Sequence, residues 1–316
     1  MLKIGLGTAA IGRPKYINIR SGEESAPFSL DRFRAEGMAM LEAAWQQGVR
    51  YYDTAPGYGL AEELMIDWTR GVPGRTLEVA TKWGYTYVAN FDPAATQHEV
   101  KEHSLTKLNE QWALSEQQLP QLTTYQIHSA TAATGVLKNE AVLNRLAALK
   151  QEHGLLIGLT TTGSAQVELL KKALDVEVGG KQLFDAFQVT FNLLDQSLRS
   201  ISNELHRQGK RMIIKEALAN GRLYPNNAYP HYQALYRKLD ELAEKYAVGP
   251  DAIVLRYCLD SLDPFVVLSG AAQKDHLTSN LLALGIKLSE EDLDVLNGFG
   301  LSATTYWGER KKLGWN

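Results

Sequence analysis

Asp53, Tyr58, Lys82 and His128 have complementary chemistry and follow three consecutive strand-like runs of the chain. Asp53-Thr-Ala-Pro-Gly-Tyr58-Gly59 comes directly after Gly48-Val-Arg-Tyr-Tyr52, whose β-branched and aromatic content suits a strand. Pro56 and Gly57 then turn the chain, so a carboxylate stands at a strand end and a phenol on the turn beside it. Each residue taken singly has a plainer reading: Asp53 as a helix cap, Lys82 as a solvated charge, His128 as a satisfied core residue. Together they make a proton donor with its tuning groups. A phenol has an unperturbed pKa of about 10, and a nearby ammonium is expected to lower it toward working pH. Asp53 would keep Lys82 charged and oriented, and His128 can donate a hydrogen bond to a carbonyl oxygen. The set holds no nucleophile for a covalent intermediate, so carbonyl reduction by a hydride from a cofactor fits. The sequence shows no metal-ligand spacing, no Gly-x-Ser-x-Gly elbow and no phosphate loop.

These groups need a frame that brings three strand ends together. Strand patterns are expected at Leu2–Thr8, the run ending at Asp53, Leu77–Thr81, Thr123–Ile127, Leu155–Thr160, Ala186–Phe191, Arg211–Lys215 and Phe265–Leu268. Helical spacing is expected at 30–47, 61–70, 92–115, 142–152, 165–173, 198–208, 232–246, 251–262, 274–284 and 290–296. Alternation of this kind means a parallel sheet with helices outside, and eight such units are the size of a closed (β/α)8 TIM barrel. An open doubly wound sheet is the alternative. In a parallel barrel all C-terminal strand ends open on one face, with neighbouring strands about 4.8 Å apart, so Asp53, Lys82 and His128 would meet there. Gly5-Leu-Gly7-Thr-Ala-Ala10 fits the loose dinucleotide fingerprint, but Gly12-Arg-Pro14 and the polar, irregular run Tyr16–Pro27 follow where a helix should open.

Composition narrows the class. Of 316 residues, 45% are hydrophobic and 22% charged, which suits a globular protein with a sizeable core. The net charge of −3 and the lack of a basic stripe argue against nucleic acid and anionic membrane as partners. The longest apolar runs are strand-sized, and Met1-Leu-Lys-Ile enters a strand pattern without a signal-peptide core. The single cysteine, Cys258, reads as a buried, inert thiol. A cytoplasmic protein is expected. With no linker or composition shift, residues 1–316 read as one domain, with 300–316 a tail near the barrel mouth.

The sequence resembles the aldo-keto reductases from Leu2 to about Leu296. Asp53-Thr-Ala-x-x-Tyr58-Gly, Thr81-Lys82, Tyr125-Gln-Ile-His128 and Gly158-Leu-Thr160 occur in that family's order and at similar spacings. The resemblance implies a barrel that binds an extended nicotinamide dinucleotide and acts on a small carbonyl or sugar. It implies Tyr58 as general acid, Lys82 and Asp53 as its partners, and His128 as the group that orients substrate. For the cofactor it implies Gly7, Thr8, Asp53, Gln188, and Thr160 with Thr161 in place of the family's Ser-Asn. Lys215 stands where many members stack a tyrosine on the nicotinamide, or else is a charged neighbour of the site. Leu218, Ala219, Gly221 and Leu223 fit the loop over the pyrophosphate. Gly270, Ala271, Lys274, His276 and Asn280 fit the adenosine segment, with His276 in place of the family's arginine for the 2′-phosphate. On family habit NADP(H) is favoured, with NAD(H) close behind. Trp83 is expected to wall the substrate pocket. The loop Tyr224–Tyr232 and the tail with Tyr306, Trp307 and Trp315 are further candidates, or merely pin the tail to the barrel. A cofactor-binding regulatory subunit with little turnover is the alternative function, and a barrel without redox chemistry a third.

Overall fold

Eight parallel strands close into a barrel: β1 (Ile4–Gly7), β2 (Tyr51–Asp53), β3 (Glu78–Trp83), β4 (Leu122–Ala130), β5 (Leu156–Thr161), β6 (Ala186–Thr190), β7 (Arg211–Lys215) and β8 (Val266–Ser269). Each pairs with its neighbours in chain order, and β8 pairs back onto β1. The computed structural model describes residues 2–15, 28–92 and 94–315. The run Tyr16–Pro27 lies outside the described residues.

Period-two alternation decides what the barrel holds. Tyr51, Ala80, Ala186, Ile213 and Val266 point inward and form an interior layer in which one large ring sits among small side chains. The opposite faces, with Tyr52, Val79, Trp83, Tyr125, Ile127, Phe187, Met212 and Val267, join the larger core under the helices. Those helices are α1 (Ala9–Gly12), α2 (Leu30–Gln46), α3 (Ala61–Gly71), α4 (Leu105–Ser115), α5 (Glu140–His153), α6 (Gln166–Leu174), α7 (Arg199–Arg207), α8 (Gln233–Tyr246), α9 (Pro250–Leu262), α10 (Lys274–Leu281), α11 (Glu290–Asn297) and α12 (Ala303–Arg310). Several start where the sequence supplies a cap: the Ser104 hydroxyl accepts from Lys107 N at 3.1 Å, and the Asn139 side chain accepts from Val142 N at 3.3 Å. Gly154, in the left-handed region at φ 67°, ends α5.

Two expectations fail locally. The segment from Asp92 is not helical before Leu105; in its place Tyr85–Tyr87 and Glu99–Lys101 form an antiparallel hairpin over the barrel mouth. Tyr85-Thr-Tyr87-Val88 alternates with period two. After β1 a single helical turn, α1, does open at Ala9.

The turn bearing Tyr58 packs directly on α1. Pro56–Tyr58 makes one 3-10 turn, and Leu60 N donates to the Gly12 carbonyl at 2.7 Å. A Cβ on Gly12 would fall within contact distance of the Tyr58 carbonyl and of Ala61. Gly12→Ala is therefore expected to destabilise the protein by about 1–3 kcal/mol and to displace the Tyr58 turn. Urea unfolding measures the first effect and turnover the second; an unchanged midpoint would show that the turn has slack.

Candidate active site

Asp53, Lys82, Gln126, His128, Gln188 and Lys215 all come from inward positions at the C-terminal ends of five strands. The Lys82 ammonium donates to Asp53 Oδ2 at 2.5 Å and to the Thr54 carbonyl at 3.0 Å, and both side chains are buried. Asp53 Oδ1 accepts from Gln188 Nε2 at 2.6 Å and from Gln126 Nε2 at 3.5 Å. The Thr8 hydroxyl and amide donate to the Asp53 carbonyl at 3.0 and 2.9 Å, tying β1 to the same point. Lys82 Nζ lies 4.7 Å from the centre of the Tyr58 ring.

His128 is aimed by an irregularity. The register of β4 against β5 shifts between Ile127 and Ala130, and Ser129 has φ 52°. Ser129 N donates to Thr160 Oγ1 at 2.7 Å, and His103 Nε2 donates to the His128 carbonyl at 2.9 Å. The imidazole Nε2 then comes 3.4 Å from the Tyr58 hydroxyl, while Tyr85 of the hairpin packs on the ring at 4.6 Å. Nδ1 of His128 has no hydrogen-bond partner among the described residues.

Burial sets the protonation states. It pushes the Tyr58 phenol well above its usual value, Asp53 adds to this and Arg13 opposes it. The ammonium was expected to win; instead its charge is matched by the carboxylate at 2.5 Å. Burial, then Lys82, then Lys215 hold His128 well below the usual imidazole range. The site thus presents a neutral phenol and a neutral imidazole, two donors able to meet one oxygen.

A cavity of about 1650 Å³ opens over these groups, lined among others by Gly7, Asp53, Tyr58, His128, Thr160 and Gln188. It continues past Lys215, Leu218 and Gly221 to Gly270, Ala271, His276 and Asn280. Drug-sized ligands fill roughly 300–1,000 Å³, so a dinucleotide and a small substrate have room together. The wall suits a dinucleotide: a Cβ added at Gly270 would meet nothing within 4 Å, leaving its backbone open to a ligand. At the far end Asn280 donates to Asp251 Oδ2 at 2.6 Å and accepts from the Ser269 hydroxyl at 2.6 Å.

Several expected residues do not reach the cavity. Trp83 follows Lys82 and so points to the opposite face, fully buried against His103 in the sheet–helix core; it does not line this cavity. Thr161 likewise faces outward, its hydroxyl donating to Gln166 at 3.2 Å. Thr8, Ala219 and Leu223 are buried behind the lining, and Lys274 is exposed beside it. Tyr306 is buried, its hydroxyl meeting Asn192 Nδ2 at 3.0 Å and donating to Glu216 at 3.4 Å, whereas Trp307 lines the cavity. Tyr224 lines it too.

Sequence reasoning missed Arg13, Glu62, Tyr85, His98 and Glu99. Arg13 donates to the Gly57 carbonyl at 3.2 Å and to Glu99 at 2.9 Å, with its guanidinium between the Tyr58 and Trp315 rings. His98 stacks on Trp315 at 4.4 Å, so the tail meets the hairpin over the mouth. Glu62 lies behind β3, where one carboxylate oxygen accepts from Thr81 (2.6 Å), Ser115 (2.9 Å) and Gln118 (2.7 Å).

With this geometry in view, the comparisons with known proteins bear on identity. The family model described as Aldo/keto reductase family matches residues 3–299. The chain belongs to the aldo/keto reductase family. It is accordingly an oxidoreductase of the NAD(P)H-dependent class. A curated Escherichia coli protein, NADH-specific methylglyoxal reductase, is 23% identical over 93% of each chain. Pyridoxal 4-dehydrogenase of Microbacterium luteolum is 42% identical over 83 residues, 26% of this chain and 20% of that protein's length. The glycerol dehydrogenase structure from Gluconobacter oxydans superposes with a TM-score of 0.70 at 20% identity, covering 94% of this chain and 90% of its own. No helix among the described residues is long and apolar enough to cross a membrane.

Burial raises the Glu62 carboxyl from 4.5 to about 7, the three donors and Lys82 opposing. Because the folded value is the higher one, the native state holds a proton that the unfolded chain has already released. The contribution of Glu62 to stability is therefore fully present below pH 4.5 and is lost as pH rises through 7, by up to about 3 kcal/mol. Glu62→Gln is expected to remove that slope, read as the difference in urea stability between pH 5 and pH 7.5; an unchanged slope rules out Glu62 as its source.

Proposed function

We propose that Tyr58, Lys82, Asp53 and His128 carry out hydride-linked interconversion of a small carbonyl compound and its alcohol. The observation that carries this reading is the convergence of the Tyr58 hydroxyl and His128 Nε2, 3.4 Å apart, at the floor of the cavity. A carbonyl oxygen seated there accepts from both, which fixes its orientation and polarises it. As negative charge develops on that oxygen, Tyr58 gives up its proton, and the buried Lys82 ammonium steadies the phenolate left behind. In the reverse direction Tyr58 receives the proton of the alcohol. A nicotinamide dinucleotide, when bound, would supply or take the hydride. Gly7, Gln188, Leu218, Gly221, Gly270 and Ala271 would hold it along the cavity wall.

At the adenosine end the cavity wall carries both the Asp251 carboxylate and His276, with Lys274 exposed. A 2′-phosphate gains no guanidinium from His276 or Lys274 and meets an acid. That favours NAD(H) over the NADP(H) expected on family habit, and the E. coli relative's name points the same way. Aromatic rings at Tyr85, Tyr87 and Phe91 with polar Ser129 and Thr131 suit a small polar aldehyde, ketone or sugar.

Tyr58→Phe is expected to lower kcat by about 10²- to 10⁴-fold while leaving dinucleotide affinity within a factor of a few. Nicotinamide absorbance over a panel of aldehydes, ketones and sugars, with a parallel binding titration, tests this. Turnover that survives the substitution removes Tyr58 from the chemistry. A wild type that binds dinucleotide without turning over any substrate favours the regulatory-subunit reading.

A further inference from the structure

The barrel mouth holds a second ammonium. Lys215 ends β7 opposite Thr190 of β6, and alternation from the interior residue Ile213 turns it inward. It lines the cavity with Gln188 and Asp53. Three other cations of the mouth have ion-pair partners: Lys82 with Asp53, Arg13 with Glu99, and Arg310 with Glu216. Glu216, the neighbour best placed to pair with Lys215, has φ 55° and accepts instead from Arg310 at 3.0 and 3.2 Å and from Tyr306 at 3.4 Å. Lys215 has no hydrogen bond or ion pair among the described residues. Lys215 is half-buried, and a half-buried ammonium without a hydrogen-bonded partner opposes folding relative to a methionine of similar length. Its charge therefore serves something that enters the cavity.

Chemistry says what that is. A carbonyl oxygen held by Tyr58 and His128 puts its carbon at the barrel mouth, and the hydride-bearing ring must touch that carbon. The ring therefore lies among Gln188, Asp53 and Lys215. Oxidised nicotinamide carries a positive charge, and reduced nicotinamide carries none. We propose that Lys215 makes this site discriminate between the two redox states, binding the uncharged reduced nicotinamide more tightly than the cationic oxidised one. This rests on the hydride-transfer reading above. At a few ångströms in a partly wet cleft, two like charges shift such an equilibrium by at least about tenfold. The bound oxidised ring is then the stronger hydride acceptor, by about 30 mV for each tenfold in the affinity ratio.

Calorimetric titration of wild type, Lys215→Met and Lys215→Arg with NAD+ and NADH, and with NADP+ and NADPH, tests the assignment without turnover. The ratio of oxidised to reduced Kd is expected to fall about tenfold or more in Lys215→Met, mainly through tighter binding of the oxidised form, and to persist in Lys215→Arg. Thermal melting of Lys215→Met is expected at or above the wild-type temperature, since an unpaired charge has gone. An unchanged ratio in Lys215→Met, or an equal loss of affinity for both forms, overturns the proposal. A wild type that binds neither pair overturns the cofactor reading itself, whereas binding with an unchanged ratio overturns only the role of Lys215.

Discussion

The buried pair of Lys82 and Asp53, 2.5 Å apart inside a ring of strands, is the contact on which the rest of the site depends. Two charges removed from water are expensive unless every remaining lone pair and proton is used. Here several are used: Gln188 and Gln126 serve the second carboxylate oxygen, and the Thr54 carbonyl takes a proton of the ammonium. Removing one partner from such a pair costs about 3–5 kcal/mol, yet an apolar pair of like volume would stabilise as well or better. What the pair adds is position. Asp53 on β2 is joined to β3, β4 and β6, so one carboxylate sets the relative placement of side chains from four strands.

Position matters because the chemistry is a proton transfer timed by charge. In the resting site burial keeps both Tyr58 and His128 neutral. A phenol that ionised early would lose the proton it must deliver. The ammonium is preorganised 4.7 Å from the ring centre and requires no rearrangement when charge moves onto the phenol. The carboxylate that holds Lys82 also offsets its field until that moment.

Around this floor the mouth is built from segments distant in sequence. The hairpin supplies Tyr85 against His128, Arg13 bridges from the first βα connection, and Trp315 closes on His98 from the far end of the chain. On the opposite rim the backbone at Glu216, Ala219 and Asn220 adopts positive φ without glycine. Glu216 there anchors α12 through Arg310. Among the described residues Lys215 thus lines the cavity without a hydrogen bond or ion pair, while the tail holds Glu216.

How much of this could be read from the chain follows from the range of each interaction. Period-two patterning and strand–helix alternation are local, and they sufficed for eight parallel strands and for Asp53, Lys82 and His128 at neighbouring ends. Motif spacing likewise pointed to Tyr58. Local pattern could not say which of Lys82 and Trp83 faces inward, because both end the same strand and a single step in register exchanges them. Nor could it find the hairpin inside a stretch that scans as helical, or the convergence of Arg13, His98 and Trp315. The amino-acid order by itself determined the architecture and the reacting groups, since these depend on periodicity and residue type. The closed barrel alone decided protonation, partner and pocket wall, because burial and distance between remote residues exist only once the ring has shut.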